Sequence, residues 1–242
     1  MRNNRRGRGL GLGVIMLLSE IMSTGYTVIP PVTLGTIIGQ SLLYMGIIDV
    51  PWDQWGACLS AHNIWKGREW HRLFLSAVEH ADDRHLFYNM VSFLAKAKTL
   101  EPWYGSANFA LLLVFLTAFT NVCYVITAMV VAELFSNNAH LHTCVIGFSG
   151  VLFALKVIAT METNPNAQTK IAGIPMPSKY APWAELILIH VMVPNTSFMG
   201  HLAGIIAGLA YTSTPVGVVV DSIIKSITGC AMWHRWNLRY YR

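Results

Sequence analysis

The chain is divided into apolar stretches, each long enough to approach the length of a membrane-crossing helix, with short polar loops between them. They lie near residues 31–48, 84–101, 107–131, 149–161, 181–194 and 200–219. A helix needs roughly 20 apolar residues to cross a bilayer, so this length leaves room for about six such helices. The pattern predicts an all-α polytopic membrane protein with no second domain.

Composition supports a membrane protein and argues against a nucleic-acid-binding one. Hydrophobic residues make up 54% of the chain and charged residues only 12%, whereas about a quarter of an average soluble domain is charged. The formal net charge is +5, but no basic helix or aromatic-basic platform accompanies it. We therefore expect membrane lipid and membrane proteins as partners, and no nucleic acid.

The basic residues predict the orientation of the bundle. In a six-span count one side receives the N-terminal tip, the end of the second span, the loop between the fourth and fifth spans, and the C-terminal tail. These residues are Arg2, Arg5, Arg6, Arg8, Lys96, Lys98, Lys170, Lys179, Lys225, Arg235, Arg239 and Arg242. The positive-inside rule makes that side cytosolic, so both termini are expected in the cytosol.

Three regions follow from the spans. Residues 1–30 hold a cytosolic basic tip and an apolar segment, residues 31–219 form the six-span domain, and residues 220–242 form a short basic cytosolic tail. Within the domain, residues 49–83 form a tryptophan-rich interfacial loop on the non-cytosolic side. The segment Leu10 to Met22 spans the membrane, lies in its interface or packs beside the bundle, since Pro30 and Pro31 interrupt any continuous helix.

Polar residues suited to acyl transfer recur at one depth of the membrane. The second, fourth and sixth spans all begin on the non-cytosolic side, and their starts hold His85 and Asn89, then Ser149, then His201. His85 and Asn89 are four residues apart and share a helix face. The sequence therefore predicts that these side chains meet in one leaflet.

The chemistry of this group predicts a serine nucleophile. Ser149 needs a base within hydrogen-bond reach, and His201 is the candidate. A helix beginning at Ser149 directs its first amides toward a developing oxyanion, and Gly147 and Gly150 permit the tight backbone there. Because no carboxylate lies at that depth, we expect a serine-histidine dyad.

Two simpler interpretations compete with this one. Ser149 between glycines is, taken alone, typical of a packing residue bonded to a carbonyl, but the matching depth of His201 favours the reactive role. Glycines four residues apart, Gly204 and Gly208, allow the fourth span to approach the sixth closely under either interpretation. The histidines lack finger-type spacing and an HExxH motif, so no metal and no cofactor are expected.

Five motifs, in this order along the chain, resemble the rhomboid intramembrane serine proteases. They are EWHR at 69–72, HADDRHLFYN at 80–89, EPWYGS at 101–106, GFSG at 147–150 and GHLAGIIAG at 200–208. The resemblance covers residues 31 to about 219 and implies a rhomboid-like six-transmembrane-helix bundle. The stretches NMVSF, GFSGVLFALK and TSFMGHLAGI look closest to the endoplasmic-reticulum branch, the rhomboid-related protein four type, a neighbour of the derlins.

The resemblance also implies a role for the matched residues. Ser149 would be the nucleophile and His201 the general base. The amides of Phe148 and Ser149 would surround the oxyanion together with His85 and Asn89.

Further matched residues would support this site. His80 would belong to the water-lined shell, residues 194–200 would form a cap loop, and the fifth span would be the side of substrate entry. Pro102 and Trp103 replace a basic residue expected after Glu101. The implied structural positions are Gly147, Gly150, Gly204, Gly208, Trp70, Arg72, Glu101 and Gly105.

Two functions of different classes remain after the resemblance. The first is a protease that cleaves transmembrane or membrane-proximal segments of unstable membrane proteins. The alternative is a non-catalytic, derlin-like protein that binds and escorts misfolded clients in endoplasmic-reticulum-associated degradation. The presence of both Ser149 and His201 favours the enzyme. Ubiquitin and a segregase are expected as partners only if a longer tail exists.

Some residues have no settled role. Cys58 and Cys144 both fall on the lumenal side of this count and can pair in an oxidising compartment. Glu133, Glu185 and His190 lie in or beside spans, where ionisable groups usually have a function. Helix pairing and contact with substrate both remain open for them.

Overall fold

The computed structural model describes residues 9–193 and 196–231. Its twelve helices are α1 (Leu12–Thr24), α2 (Pro31–Tyr44), α3 (Gln54–Ala57), α4 (Ala61–Trp65), α5 (Arg72–Val78), α6 (Asp83–Tyr104), α7 (Ser106–Leu134), α8 (Ala139–His142), α9 (Ser149–Glu162), α10 (Ala181–Met192), α11 (Phe198–Ser213) and α12 (Pro215–Thr228).

The six predicted spans correspond to α2, α6, α7, α9, α10 and α11. Of the helices that the structure describes, α7 alone is long and apolar enough to cross a membrane unaided, and α11 with α12 meets the criterion as a pair bent by 77°. Helix α6 has 22 residues, whereas α2 and α9 have 14 each and α10 has 12. A bilayer thinner than usual would accommodate helices of this length.

Helices α9 and α11 cross at the centre of the bundle, where glycines allow their backbones to touch. A methyl group on Gly204 would lie 2.2 Å from the carbonyl oxygen of Gly150, and one on Gly208 would lie 2.7 Å from Cβ of Val157. Both distances are below van der Waals contact. The predicted approach of these two helices is therefore present, and it places the N-termini of α9 and α11 side by side.

Helix α2 is attached to the far end of α6 by the carboxylate of Glu101. This carboxylate, 1% exposed, accepts hydrogen bonds from the amides of Val32 and Thr33 at 3.0 and 2.7 Å. The hydroxyls of Thr33 and Ser106 donate to it at 2.7 Å each. Glu101 thus caps α2 and ties it to both α6 and the start of α7, and it does so although Pro102 and Trp103 follow.

We expect Glu101→Gln to lower the free energy of unfolding by about 2 kcal/mol, because the amide nitrogen cannot accept the bonds that one carboxylate oxygen now receives. Thermal unfolding in detergent measures the change. Glu133→Gln, at an exposed position near the end of α7, is the matched control. An equal unfolding midpoint for both variants would contradict the capping role.

The last span ends earlier than the sequence suggested. The predicted limit was residue 219, but α11 ends at Ser213, Thr214 is extended, and Pro215 begins α12. Proline cannot continue a helix but suits its first turn. Residues 220–228, predicted as tail, therefore belong to α12, while residues 1–8, 194–195 and 232–242 lie outside the described part of the chain.

The loop between α9 and α10 forms a short β-hairpin, which the all-α prediction did not include. Its two strands are the only ones within the described residues. Strands β1 (Gln168–Ile171) and β2 (Ile174–Pro177) pair antiparallel, with Ile171 opposite Ile174. The turn residues Ala172 and Gly173 have φ of 49° and 82°. Positive φ at both central positions is what a type I′ two-residue hairpin turn requires.

Candidate active site

Ser149 and His201 are in hydrogen-bond contact. Ser149 is the first residue of α9, and His201 lies in the first turn of α11. The distance from Nε2 of His201 to Oγ of Ser149 is 3.0 Å. The crossing of α9 and α11 described above holds these two helix ends together, so the contact depends directly on Gly204.

The imidazole of His201 is oriented by packing. Its ring stacks on Phe153 at 4.7 Å between centroids and 28° between planes. The side chain is 5% exposed, and its Nδ1 has no hydrogen-bond partner within the described residues. Within the described residues, no carboxylate accepts a hydrogen bond from Nδ1, so the contact is a pair of Ser149 and His201.

The turn before Ser149 requires glycine at Gly147. Its φ is +120°, and a Cβ there would lie 2.5 Å from Cε1 of His85. The Gly147 amide donates to the carbonyl of Ser76 at 2.8 Å, and Ser76 is in turn bonded by the side-chain amide of Asn121 at 3.1 Å. Backbone conformation and the nearby imidazole together exclude any side chain at this position.

His85 presents one ring nitrogen to this turn. Its Nδ1 accepts from the amide of Ala81 at 3.3 Å, which assigns the ring proton to Nε2. That nitrogen would lie 2.7 Å from a Cβ on Gly147, so it is a donor beside the start of α9. Asn89 donates one amide hydrogen to the carbonyl of His85 at 2.9 Å, and its second remains for another acceptor.

His80 and Phe148 lie beside these groups. The rings of His80 and His85 meet edge-on with centroids 5.2 Å apart. Phe148 is 4% exposed and packs edge-on against Phe93 with centroids 5.3 Å apart. A serine hydroxyl, two imidazoles, the side-chain amide of Asn89 and the first amides of α9, which have no partner within the helix, thus lie near one another.

The interfacial loop is joined to the segment that enters α9. Leu59 and Val145 exchange both backbone hydrogen bonds at 2.9 Å, and Cys58 and Cys144 form a disulfide with Cα atoms 5.6 Å apart. The cysteine pairing suggested by the sidedness of the loops is therefore present. It lies five positions before Ser149.

Arg72 fastens the same loop. Its guanidinium donates to the carbonyls of Trp55 and Cys58 at 2.8 Å each and pairs with Glu69. Trp70, the other residue of this motif, is 55% exposed. Arg72 therefore contributes by shaping the loop rather than by reaching the serine.

The three ionisable residues without a predicted role differ in their surroundings. Glu185 pairs with Lys156 at 3.2 Å and so links α10 to α9. His190 meets the ring of Phe198 edge-on at 5.2 Å, and Glu133 is exposed. Within residues 9–193 and 196–231, no group of three metal-binding side chains converges.

Sequence reasoning missed two residues next to the site. Asp82 caps α6 by accepting from the amide of His85 at 2.8 Å, and Asp83 binds the start of α1. An aspartate immediately before a helical segment is a known capping signal, and it could have identified Asp82. Nothing in the sequence pattern indicated the contact between Asp83 and α1.

We expect two reactive thiols in denaturant before reduction and four after reduction, because Cys123, which is buried, and Cys230 are free while Cys58 and Cys144 are paired. Maleimide mass shifts give the count. Cys58→Ser should abolish the change in non-reducing gel mobility, whereas Cys230→Ser should leave it intact. Four reactive thiols before reduction would contradict the pairing.

Comparisons with known proteins agree with this architecture. The rhomboid domain model matches residues 67–216. "Rhomboid-related protein 4" of Mus musculus is 41% identical over 90% of this chain and 68% of its own length. "Rhomboid-like protein 14, mitochondrial" of Arabidopsis thaliana is 35% identical over 99% of this chain and 74% of its own.

A more distant relative carries an enzyme name. "Rhomboid-type serine protease 2" of Saccharomyces cerevisiae is 25% identical over 71% of this chain and 66% of its own length. No solved structure matches significantly. The domain match and the extent of identity to the mammalian relative lead to one conclusion: this chain belongs to the rhomboid family and has its polytopic, all-α membrane fold.

Proposed function

We propose that this protein is an intramembrane serine protease that cleaves transmembrane or membrane-proximal segments with a Ser149–His201 dyad. The observation that carries the proposal is the 3.0 Å contact between Nε2 of His201 and Oγ of Ser149. A hydroxyl held against an imidazole at this distance is the arrangement that activates a serine nucleophile.

The reaction proceeds by acyl transfer. Ser149 Oγ attacks the scissile carbonyl carbon while His201 Nε2 takes the hydroxyl proton, and the carbonyl oxygen becomes an oxyanion. As the C–N bond breaks, His201 returns this proton to the departing amine and an acyl-serine remains. Water then gives a proton to His201 and its hydroxyl to the carbonyl carbon. As the bond from that carbon to Ser149 Oγ breaks, His201 returns the proton to Oγ, and the carboxylic acid product leaves.

Donors near the start of α9 stabilise the oxyanion. The amide of Ser149 lies at a helix N-terminus, where the dipole favours negative charge. His85 Nε2 adds a neutral donor beside Gly147, and the second amide hydrogen of Asn89 adds another. His80 and the backbone amide of Phe148 are the remaining groups that we place around the oxyanion. A well-placed donor of this kind contributes about 3 kcal/mol to transition-state stabilisation.

Substrates are membrane helices that unwind readily. A peptide bond inside a regular helix is inaccessible to a serine hydroxyl, and unwinding within lipid exposes unsatisfied backbone groups. The free energy needed for unwinding is smallest for helices that already contain weakly bonded turns. The selection we propose is therefore by helix instability, consistent with clients that are unstable membrane proteins.

We assign the catalytic face to the lumen of the endoplasmic reticulum. The disulfide between Cys58 and Cys144 lies on that face, and such bonds persist in oxidising compartments. Lys96, Lys98 and Lys225 lie toward the opposite end of the bundle, which the positive-inside rule makes cytosolic.

Reconstitution in liposomes tests the proposal. Purified protein is incubated with a single-span substrate whose helix contains a central glycine-proline pair, and with the same span built from leucine. We expect cleavage of the first and little of the second. Binding of both without cleavage would overturn the protease and support a client-binding, derlin-like function.

A further inference from the structure

Helix α1 begins at the catalytic end of the bundle. The Asp83 carboxylate, at the start of α6, accepts hydrogen bonds from the amides of Gly13 and Val14, the latter at 3.2 Å. Glu101, at the other end of α6, holds the start of α2. Helix α1 therefore runs parallel to α6 from its first turn, and α2 runs back in the opposite direction.

The contact at Asp83 is close because α1 begins with glycines. A Cβ on Gly11 would lie 2.6 Å from Cγ of Asp83, and one on Gly13 would lie 2.5 Å from the Asp83 carbonyl oxygen. The carboxylate sits at the N-termini of α1 and α6 together, where both helix dipoles favour negative charge. The glycines of α1 leave room for the Asp83 carboxylate, and the helix dipoles stabilise its charge, so both features favour the contact between α1 and Asp83.

The rest of α1 is predominantly apolar on both sides. Val14, Leu17 and Ile21 are buried against the core, which fixes one face. The opposite face is exposed and mostly apolar, through Leu12, Ile15, Met16, Leu18 and Met22, and its exposed polar residues, Ser19, Glu20 and Ser23, lie in the last two turns. A helix lying in the membrane interface carries a polar outer face, whereas a helix surrounded by lipid does not.

We propose that α1 crosses the membrane beside α6, and that its docking on Asp83 positions His85 for the reaction. The first half rests on geometry alone, and the second half rests on the proposed function. At 1.5 Å per residue α1 is about 20 Å long, comparable to α2 and α9. Leu12 then lies on the catalytic side, whereas the loop charges predicted that the chain enters its first span from the cytosol.

Docking reaches His85 through the first turn of α6. Helix ends fray unless their free amides and neighbouring side chains are held. The carboxylate of Asp82 accepts from the amide of His85, and the amide of Ala81 donates to its ring. Asp83, the residue after Asp82, is held by α1. Release of α1 leaves this turn free to fray, and the imidazole loses its place beside Gly147.

Protease protection tests the crossing. One epitope tag is placed before residue 1 and another after residue 242, and sealed microsomes are treated with protease before and after detergent. We expect the two tags to differ, one being digested in sealed vesicles and the other only after detergent. Equal digestion of both tags in sealed vesicles would overturn the crossing, whether or not the chain is a protease.

A disulfide that replaces the contact between α1 and Asp83 tests whether this contact positions His85. Asp83→Cys alone should lower kcat about tenfold with KM unchanged, as expected when a catalytic group is misplaced. In the double variant Gly11→Cys with Asp83→Cys, the new Cβ lies near the position of the second sulfur, so oxidation can join α1 to α6. The cross-linked protein should regain kcat to within about threefold of wild type.

Controls separate positioning from simple stability. Wild type under the same oxidant and reductant accounts for the Cys58–Cys144 bond, and Asp83→Asn, which retains one acceptor oxygen, should show a smaller loss of kcat than Asp83→Cys. A cross-linked double variant no more active than Asp83→Cys would overturn the positioning role. Wild type inactive on every substrate would instead overturn the proposed function and leave the topology result standing.

Discussion

Ser149→Ala and His201→Ala are each expected to abolish cleavage in liposomes, with a loss of at least about 10⁴-fold in kcat/KM. The first removes the attacking oxygen, and the second removes the base 3.0 Å away from it. Because the two side chains act as one unit, the double variant should be no slower than either single variant. Initial rates on the glycine-proline substrate measure all three.

Substrate binding and folding are the controls for this result. Ser149→Ala should keep wild-type thermal stability and bind the substrate, because it removes a single oxygen atom. His201→Ala removes a buried ring that stacks on Phe153, so we expect a lower unfolding midpoint, and its substrate binding is measured at a temperature where the variant is folded. Ser222→Ala, at an exposed serine that bonds only the carbonyl of Val218 among described residues, should cleave at the wild-type rate. Persistent cleavage by purified Ser149→Ala would show that another nucleophile acts.

Gly204→Ala is expected to have the second-largest effect. The added methyl group would lie 2.2 Å from the carbonyl oxygen of Gly150, with Cβ of Phe153 at 2.9 Å. Because the first neighbour is backbone, α9 and α11 must separate. We expect a loss of about 3 kcal/mol in the free energy of unfolding and a loss of about 100-fold in rate as Ser149 and His201 move apart.

Gly35→Ala is the matched control for this substitution. Gly35 also lies within a helix, but nothing stands within 4 Å of a Cβ added there. It should therefore stabilise the protein by about 0.5–1 kcal/mol, as alanine does in a helix interior, with activity unchanged. If Gly204→Ala behaves like Gly35→Ala, the crossing of α9 and α11 does not position the dyad.

Much of the site was accessible from the sequence because membrane helices impose a depth on each residue. His85, Ser149 and His201 each begin a span that enters from the same side, so counting spans was enough to predict that they lie level. The same counting placed Cys58 and Cys144 together. Contact at 3.0 Å between Ser149 and His201 depends further on Gly204, whose spacing from Gly208 indicated a close helix pair.

Other features were predicted less well because they depend on chain direction and local termination. Hydropathy allows three arrangements for the short α1 and extends the last span past Thr214. Hydropathy measures how apolar a segment is and does not register a sharp turn between two apolar helices such as α11 and α12, or the direction in which a short apolar helix runs.

The amino-acid sequence was sufficient for the fold class, the number and order of the principal spans and the depth of the reactive residues, because the bilayer converts apolar length and loop charge into position. The folded chain was needed for the contact of Asp83 with α1, for Glu101 as the cap of α2, and for the ring of His85 over Gly147. These contacts join residues about 70 or more positions apart or depend on the angle of a single side chain, and neither quantity is encoded in periodicity.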